Sequence, residues 1–268
     1  MKKITSLQNP LIKQVFALQQ KSKIRRELGR FVVEGKREIL LARGAGYHFE
    51  QIFFLPSLVS PTDLMRQLGL LSDAILVEVS PEVYKKIGYR ETTEGVIGIA
   101  LSPLHRLQDI DFQRENLLVL VAEAPEKPGN IGAILRTADA VGVDAVLIAN
   151  PKTDLYNPNI IRASVGCVFT TPIAMGSSSE IIAFLKEKNI RIFCAALSAS
   201  KPYDEISFCQ SVAVVVGTED VGLSQEWLQN STQNIIIPMQ GKIDSMNVSV
   251  SAAVILFEAQ RQRKISTK

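Results

Sequence analysis

Leu117-Leu118-Val119-Leu120-Val121-Ala122-Glu123-Ala124-Pro125-Glu126-Lys127-Pro128-Gly129-Asn130-Ile131-Gly132-Ala133-Ile134-Leu135-Arg136-Thr137-Ala138-Asp139-Ala140-Val141 reads as an apolar strand, a glycine-bearing turn and a helix. The strand, Leu117–Val121, is apolar at every position, which suits a parallel sheet covered on both faces rather than a half-solvated one. The same texture recurs at Ala145–Ile148, Arg191–Ala195, Val212–Val216 and Ile235–Ile237. Helical patterns at Ile131–Val141, Ser178–Lys188 and Val248–Arg263 lie between or after these runs. The alternation predicts an α/β domain built on a parallel sheet.

Strand, turn and helix also open a dinucleotide-binding fold, and ligand binding beyond the C-terminal ends of strands is general to such sheets. The fingerprint differs here. Gly129-Asn130-Ile131-Gly132 lacks the GxGxxG spacing, and the next strand runs into Ala149-Asn150 with no acid placed for a ribose. P-loop spacing is absent as well. A Ser-His-Asp hydrolase would need His48 or His105, the only histidines, one in a basic N-terminal region and the other in a polar connector.

The first hundred residues form a separate pattern. Asn9-Pro10 marks a helix start, followed by Leu11, Val15 and Leu18 at helical spacing. Apolar Phe31-Val32-Val33 and candidate strands Gln51–Leu55, Ala74–Val79 and Gly95–Leu101 alternate with helical segments. A small α/β domain over residues 1–101 is expected, then a polar linker over 102–115, then the parallel-sheet domain over 116–268.

Of 268 residues, 46% are hydrophobic and 21% charged, as in a globular protein rather than a disordered one. No apolar stretch reaches membrane-spanning length, and the basic start has no apolar run behind it. Neither a membrane association nor a signal peptide is expected. Three cysteines without a CxxC pair point to a cytoplasmic protein without a disulfide framework, and two histidines argue against a metal site.

The net charge of +3 is uneven: residues 1–101 carry 15 Lys/Arg against 10 Asp/Glu, and the remainder 15 against 17. Lys21, Lys23, Arg25, Arg26 and Arg30 concentrate this charge. Such a patch attracts a polyanion such as RNA through phosphate neutralisation, or it is a solvated helix face.

Several polar residues exceed what a fold requires. Asn130 stands at the start of a helix, where it either caps or serves chemistry. Arg136 follows Ile131, Ala133, Ile134 and Leu135 on an otherwise apolar segment and needs an anion, internal or a substrate phosphate. Glu219 and Asp220 follow the strand Val212–Val216 as a plain turn or as that internal partner. Ser245, Asn247, Ser249 and Ser251 alternate like a surface edge.

Taken in order, Pro128–Arg136, Gly217-Thr218-Glu219-Asp220-Val221-Gly222-Leu223-Ser224, and Ile237-Pro238-Met239 running to Ser245-Met246-Asn247-Val248-Ser249 resemble the three motifs of the SpoU/TrmH family of RNA ribose 2′-O-methyltransferases, within the SPOUT superfamily. The resemblance covers about residues 116–265. Arg30-Phe31-Val32-Val33-Glu34-Gly35-Lys36-Arg37-Glu38 and Glu94–Ile99 resemble the L30e-like substrate-binding domain of that family. Three positions depart from the pattern: Lys127 stands where Asp is common, Met246 where Leu is usual, and Ser251 where Ala is.

The resemblance implies a C-terminal trefoil knot, a homodimer and S-adenosylmethionine as cofactor, without metal. It implies a catalytic set of Arg136, Asn130, Glu219, Ser245 and Asn247, and a cofactor site near Gly217, Gly222, Ile237, Met239 and Met246. It leaves Arg136 either as a perturbed general base or as a phosphate holder that stabilises the alkoxide. The implied substrate is structured RNA, ribosomal ahead of transfer RNA. The alternatives are a transfer-RNA enzyme or a non-catalytic RNA-binding or ribosome-assembly factor.

Overall fold

Asn9, Ser60 and Ser80 each open a helix of the N-terminal region by accepting a backbone N–H, and the strands between the helices bury long apolar side chains. A computed structural model describes residues 1–70, 72–89, 94–198 and 200–266. The chain divides into two compact units. The first comprises Met1–Leu104 with Asp154–Thr170, the second His105–Thr153 with Thr171–Lys268.

In the first unit the order is β1 (Lys2–Ile4), α1 (Pro10–Gln20), α2 (Ser22–Leu28), β2 (Arg30–Glu34), α3 (Lys36–Gly44), β3 (Phe49–Phe54), α4 (Pro61–Leu68), β4 (Leu76–Val79), α5 (Pro81–Ile87) and β5 (Val96–Leu101). The sheet runs β1-β4-β3-β5-β2. β4 lies parallel to β1 and β3, whereas β5 is antiparallel to β3 and β2. Asn9 caps α1, its Oδ1 accepting from Leu11 N at 3.0 Å, and Pro10 supplies the preset φ of the first turn. Ile12, Val15 and Leu18 pack with Val32, Phe53, Val77 and Ile99 on one face of this sheet. β1 was not legible as a strand, because three residues at the sheet edge carry too little pattern.

The second unit contains β6 (Leu118–Glu123), α6 (Pro128–Val141), β7 (Ala145–Ala149), β8 (Ile173–Gly176), α9 (Ser178–Glu187), β9 (Arg191–Ala195), β10 (Ser200–Pro202), β11 (Val212–Val216), α10 (Gln225–Asn230), β12 (Gln233–Ile236) and α11 (Val248–Ser266). Between β7 and β8 the chain forms α7 (Pro158–Ala163) and α8 (Cys167–Thr170), which belong to the first unit. The sheet order is β10-β12-β9-β11-β6-β7-β8, and every pairing is parallel. The strands are buried throughout at β6, β7 and β11, which accounts for their unbroken apolar runs. β6 pairs with β7 on one side and β11 on the other, so the chain turns back on itself beside β6, and ligands bind at such a switch point.

Two expectations meet a different arrangement. The polar stretch 102–115 is not a free linker from His105 onward: His105 Nδ1 donates to Ile173 O at 3.0 Å, and Leu107, Ile110 and Phe112 pack on the second core. Asp154–Thr170, expected inside the second domain, packs with the first unit. Tyr156 stacks on Phe31 with ring centroids 3.8 Å apart, and its hydroxyl lies 2.9 Å from that of Tyr47. Burial raises the pKa of both tyrosines, so the pair stays protonated.

Candidate active site

Because all strands of the second sheet are parallel, the loops that follow β6, β11 and β12 leave from the same edge. The loop after β11 is tight. Thr218 and Gly222 exchange two backbone hydrogen bonds of 3.1 Å, and Gly222 has a φ of +69°. A Cβ on Gly217 would lie 2.3 Å from the carbonyl carbon and oxygen of Gly222, so no other residue fits there. This loop and the segment after β12 line a cavity of about 860 Å³. Gly217, Gly222, Ile237, Met239 and Met246 all border it, as do Glu219, Ser245 and Asn247.

Glu219 gathers the polar groups of all three loops. Its Oε1 accepts from Asn130 Nδ2 at 2.9 Å and from Asn247 Nδ2 at 2.6 Å. Its Oε2 forms an ion pair with Lys127 Nζ. These donors, Lys127 foremost, hold the Glu219 carboxyl below the usual carboxylate range, and the carboxylate in turn raises Lys127. Asn247 Nδ2 also reaches Asn130 Oδ1 at 3.2 Å, so the two amides are fixed against each other.

The alternatives left open for these residues now separate. Asn130 is not a cap: α6 begins at Pro128, and the Asn130 side chain is committed to Glu219. Asn247 is the capping residue, its Oδ1 accepting from Ser249 N at 3.0 Å and Ser249 Oγ at 2.6 Å in the first turn of α11. Ser249 and Ser251 therefore belong to the first turn of α11 rather than to a surface edge. Ser245 borders the cavity and is exposed.

Glu219 is not the partner of Arg136. On α6 the side chains of Ile131, Ile134, Leu135 and Ala138 are buried, and Arg136 projects from the exposed face. Among the described residues it has no hydrogen-bond or ion-pair partner.

The basic residues of the first unit divide in two. Lys21, Lys23 and Arg26 are exposed. Arg25 is only 5% exposed and is a correction to the surface patch. It pairs with Asp154 in the segment Asp154–Thr170, and its Nη1 donates to Leu18 O at 2.5 Å. Arg30 makes a two-point bridge to Glu50 and is half-buried.

A buried support was missed in the sequence. Glu123, at the end of β6, accepts from Ser178 Oγ at 3.1 Å and from Ser224 N at 2.8 Å. Ser178 Oγ itself accepts from Trp227 Nε1 at 2.8 Å and Asn150 Nδ2 at 2.9 Å. This network ties the end of the Gly217–Leu223 loop to β6. The signal was present: an acid closing the apolar run Leu118–Ala122 must be hydrogen-bonded when buried.

Among the described residues no cluster of His, Cys, Asp or Glu is arranged to hold a metal, and no helix is long and apolar enough to cross a membrane.

Comparison with known proteins fits this geometry. Residues 117–257 match the SpoU rRNA Methylase family, and residues 9–98 match the MRM3-like substrate binding domain. A solved RNA 2′-O ribose methyltransferase is 40% identical, covering 98% of this chain and 99% of its own, with a TM-score of 0.81. The SpoU methyltransferase AviRb from Streptomyces viridochromogenes, solved with AdoMet, is 28% identical over 96% of this chain and 99% of its own, with a TM-score of 0.87. The 23S rRNA (guanosine(2553)-2′-O)-methyltransferase RlmP of Bacillus subtilis is 27% identical over 96% of this chain and 98% of its own. With its three loops converging on one carboxylate and its length covered by these relatives, the chain belongs to the SpoU methylase family.

Proposed function

We propose that this protein transfers a methyl group from S-adenosylmethionine to a ribose 2′-hydroxyl of ribosomal RNA. One observation carries the reading: Asn130, in the first turn of α6, and Asn247, just before α11, meet on Glu219 from the loop after β11, at the border of an 860 Å³ cavity.

The residues present fit the cofactor. The cavity is large enough for a nucleoside-sized ligand, and the crowding at Gly217 lets a backbone approach that any side chain would block. Gly217, Gly222, Ile237, Met239 and Met246 would hold it. When bound, S-adenosylmethionine supplies a methyl group made electrophilic by its sulfonium. The chain's own task is to place and activate the hydroxyl. Alignment of two reactants contributes roughly 7–11 kcal/mol in favourable cases. Arg136 holds a substrate phosphate and stabilises the developing alkoxide. Asn130 and Asn247 orient the ribose, Ser245 borders it, and Glu219 keeps both amides in place.

The same reading includes a homodimer. Val250 and Phe257 on α11 are each 48% exposed, an unusual cost for a helix face left in water. Arg136, without a partner among the described residues, is then available to the site of a second copy. The trefoil crossing of the segment between β12 and α11 belongs to this proposal, as does a cytoplasmic location. The first unit is assigned to RNA, with Lys21, Lys23 and Arg26 as phosphate contacts.

The test is methyl transfer from labelled S-adenosylmethionine to separated ribosomal and transfer RNA lacking the modification. Label in ribosomal RNA at one site resistant to alkaline cleavage supports the reading. Label confined to transfer RNA overturns the substrate class. Cofactor binding without label in either pool, including ribosomal particles, leaves an RNA-binding factor as the better description.

A further inference from the structure

Lys127 stands outside the set described so far, although it directly contacts the carboxylate on which that set converges. Its Nζ pairs with Glu219 Oε2, while Glu219 Oε1 takes both amide donors, Asn130 Nδ2 and Asn247 Nδ2. The division matters geometrically. A carboxylate free to rotate would exchange its two oxygens between donors, and each rotation would release the amides. With one oxygen held by an ammonium group, the other is aimed at the two asparagines. Asn247 passes the constraint on, since its Oδ1 caps α11 and its Nδ2 reaches Asn130 Oδ1. Lys127 is also placed for this by the backbone: it is the residue before Pro128, the first of α6, and Asn130 N and Ile131 N both donate to its carbonyl oxygen.

We propose that Lys127 is a positioning residue of the methyl-transfer site, acting through Glu219 to fix the orientation of Asn130 and Asn247. The proposal rests on the function inferred above. Among the described residues, the charged groups lining the small recess at this point are Glu123, Glu126, Lys127, Glu219 and Asp220, so Lys127 is the single cation beside four acids there. Its removal therefore leaves Glu219 among like charges, and protonation of that carboxyl becomes easier. A protonated Glu219 offers a donor where the amides need an acceptor, so without Lys127 the arrangement breaks at a higher pH as pH falls.

The decisive variant is Lys127→Met, with Lys127→Arg as the conservative control. Lys127 is exposed, so neither change threatens the fold. In Lys127→Met, kcat falls about fivefold at pH 7.5, the upper range for an exposed ion pair. The acid limb of the kcat profile moves to higher pH, the Kd for S-adenosylmethionine is unchanged, and Lys127→Arg recovers wild-type behaviour. Wild-type kcat and an unmoved acid limb in Lys127→Met overturn the proposal while leaving the proposed function intact. A 13C NMR titration of the Glu219 carboxyl needs no RNA and separates the two ideas even if the wild type methylates nothing. A higher Glu219 pKa in Lys127→Met supports the positioning role, and an identical titration in both proteins overturns it.

Discussion

Asn247 donates its Nδ2 to Asn130 Oδ1 across 3.2 Å, joining two side chains separated by 117 positions, while its own Oδ1 caps α11. One side chain thus serves stability and the site together, and substitution separates the two. Asn247→Ala loses the cap at a cost of about 1 kcal/mol, together with turnover. Asn247→Ser retains a capping oxygen but no amide, so its thermal unfolding midpoint stays near wild type while methyl transfer is lost. Calorimetry and a labelled-methyl assay on the same preparations check this.

Arg136 is exposed on α6 and has no partner among the described residues, so its removal leaves no buried group unsatisfied. Arg136→Ala is expected to lower turnover by about a hundredfold or more, as loss of one charge-stabilising donor does. Cofactor affinity by calorimetry and the unfolding midpoint stay at wild-type values. Arg136→Lys recovers little, because a point charge does not reproduce a planar two-point grip on phosphate.

Gly217→Ala brings a methyl carbon within 2.3 Å of the Gly222 carbonyl. The loop after β11 must open to accept it. The expected outcome is loss of S-adenosylmethionine binding, read directly by calorimetry, with far-UV circular dichroism unchanged.

Arg25 and Asp154 form a buried pair, their side chains 4% and 11% exposed. Replacing one partner leaves the other charge without compensation. Arg25→Met or Asp154→Asn should destabilise the first unit by about 3–5 kcal/mol, measured by urea unfolding. Lys21→Met and Lys23→Met, on exposed side chains, should leave stability unchanged and instead flatten the salt dependence of RNA binding.

Burial pushes the Cys194 thiol up to about 11. The group is neutral in the folded protein, so its contribution to stability is complete below the ordinary thiol pKa and is lost as pH rises towards 11. A thiol reagent at pH 8 should modify Cys167 and Cys209, which are partly exposed, and reach Cys194 only after denaturation.

Much of the second unit was legible because its strands are buried on both faces and its three polar loops carry residues with no structural excuse. β9 and β11 keep the bounds that the apolar runs imply. β8 and β10 escaped because they are short and lie at the two edges of the sheet, where pairing rather than composition makes a strand. Asn130 and Glu219 were recognised, but not their meeting, which depends on a contact across 89 positions. Arg25 was misjudged for the same kind of reason: its charge is visible in sequence, while Asp154, 129 positions away, is not visible as its partner. Lys127 was noticed only as a departure, since nothing local says that a lysine before Pro128 reaches the loop after β11.

The membership of Asp154–Thr170 in the first unit bears on how such proteins exchange specificity. A graft of residues 1–104 alone would carry Phe31 without Tyr156 and Arg25 without Asp154, and would expose an unfinished core. Recombining a substrate-binding half onto another catalytic half therefore requires three crossovers rather than one, at the boundaries 104/105, 153/154 and 170/171. Chimaeras built with all three joints should fold, whereas those cut once at the connector should accumulate as insoluble protein.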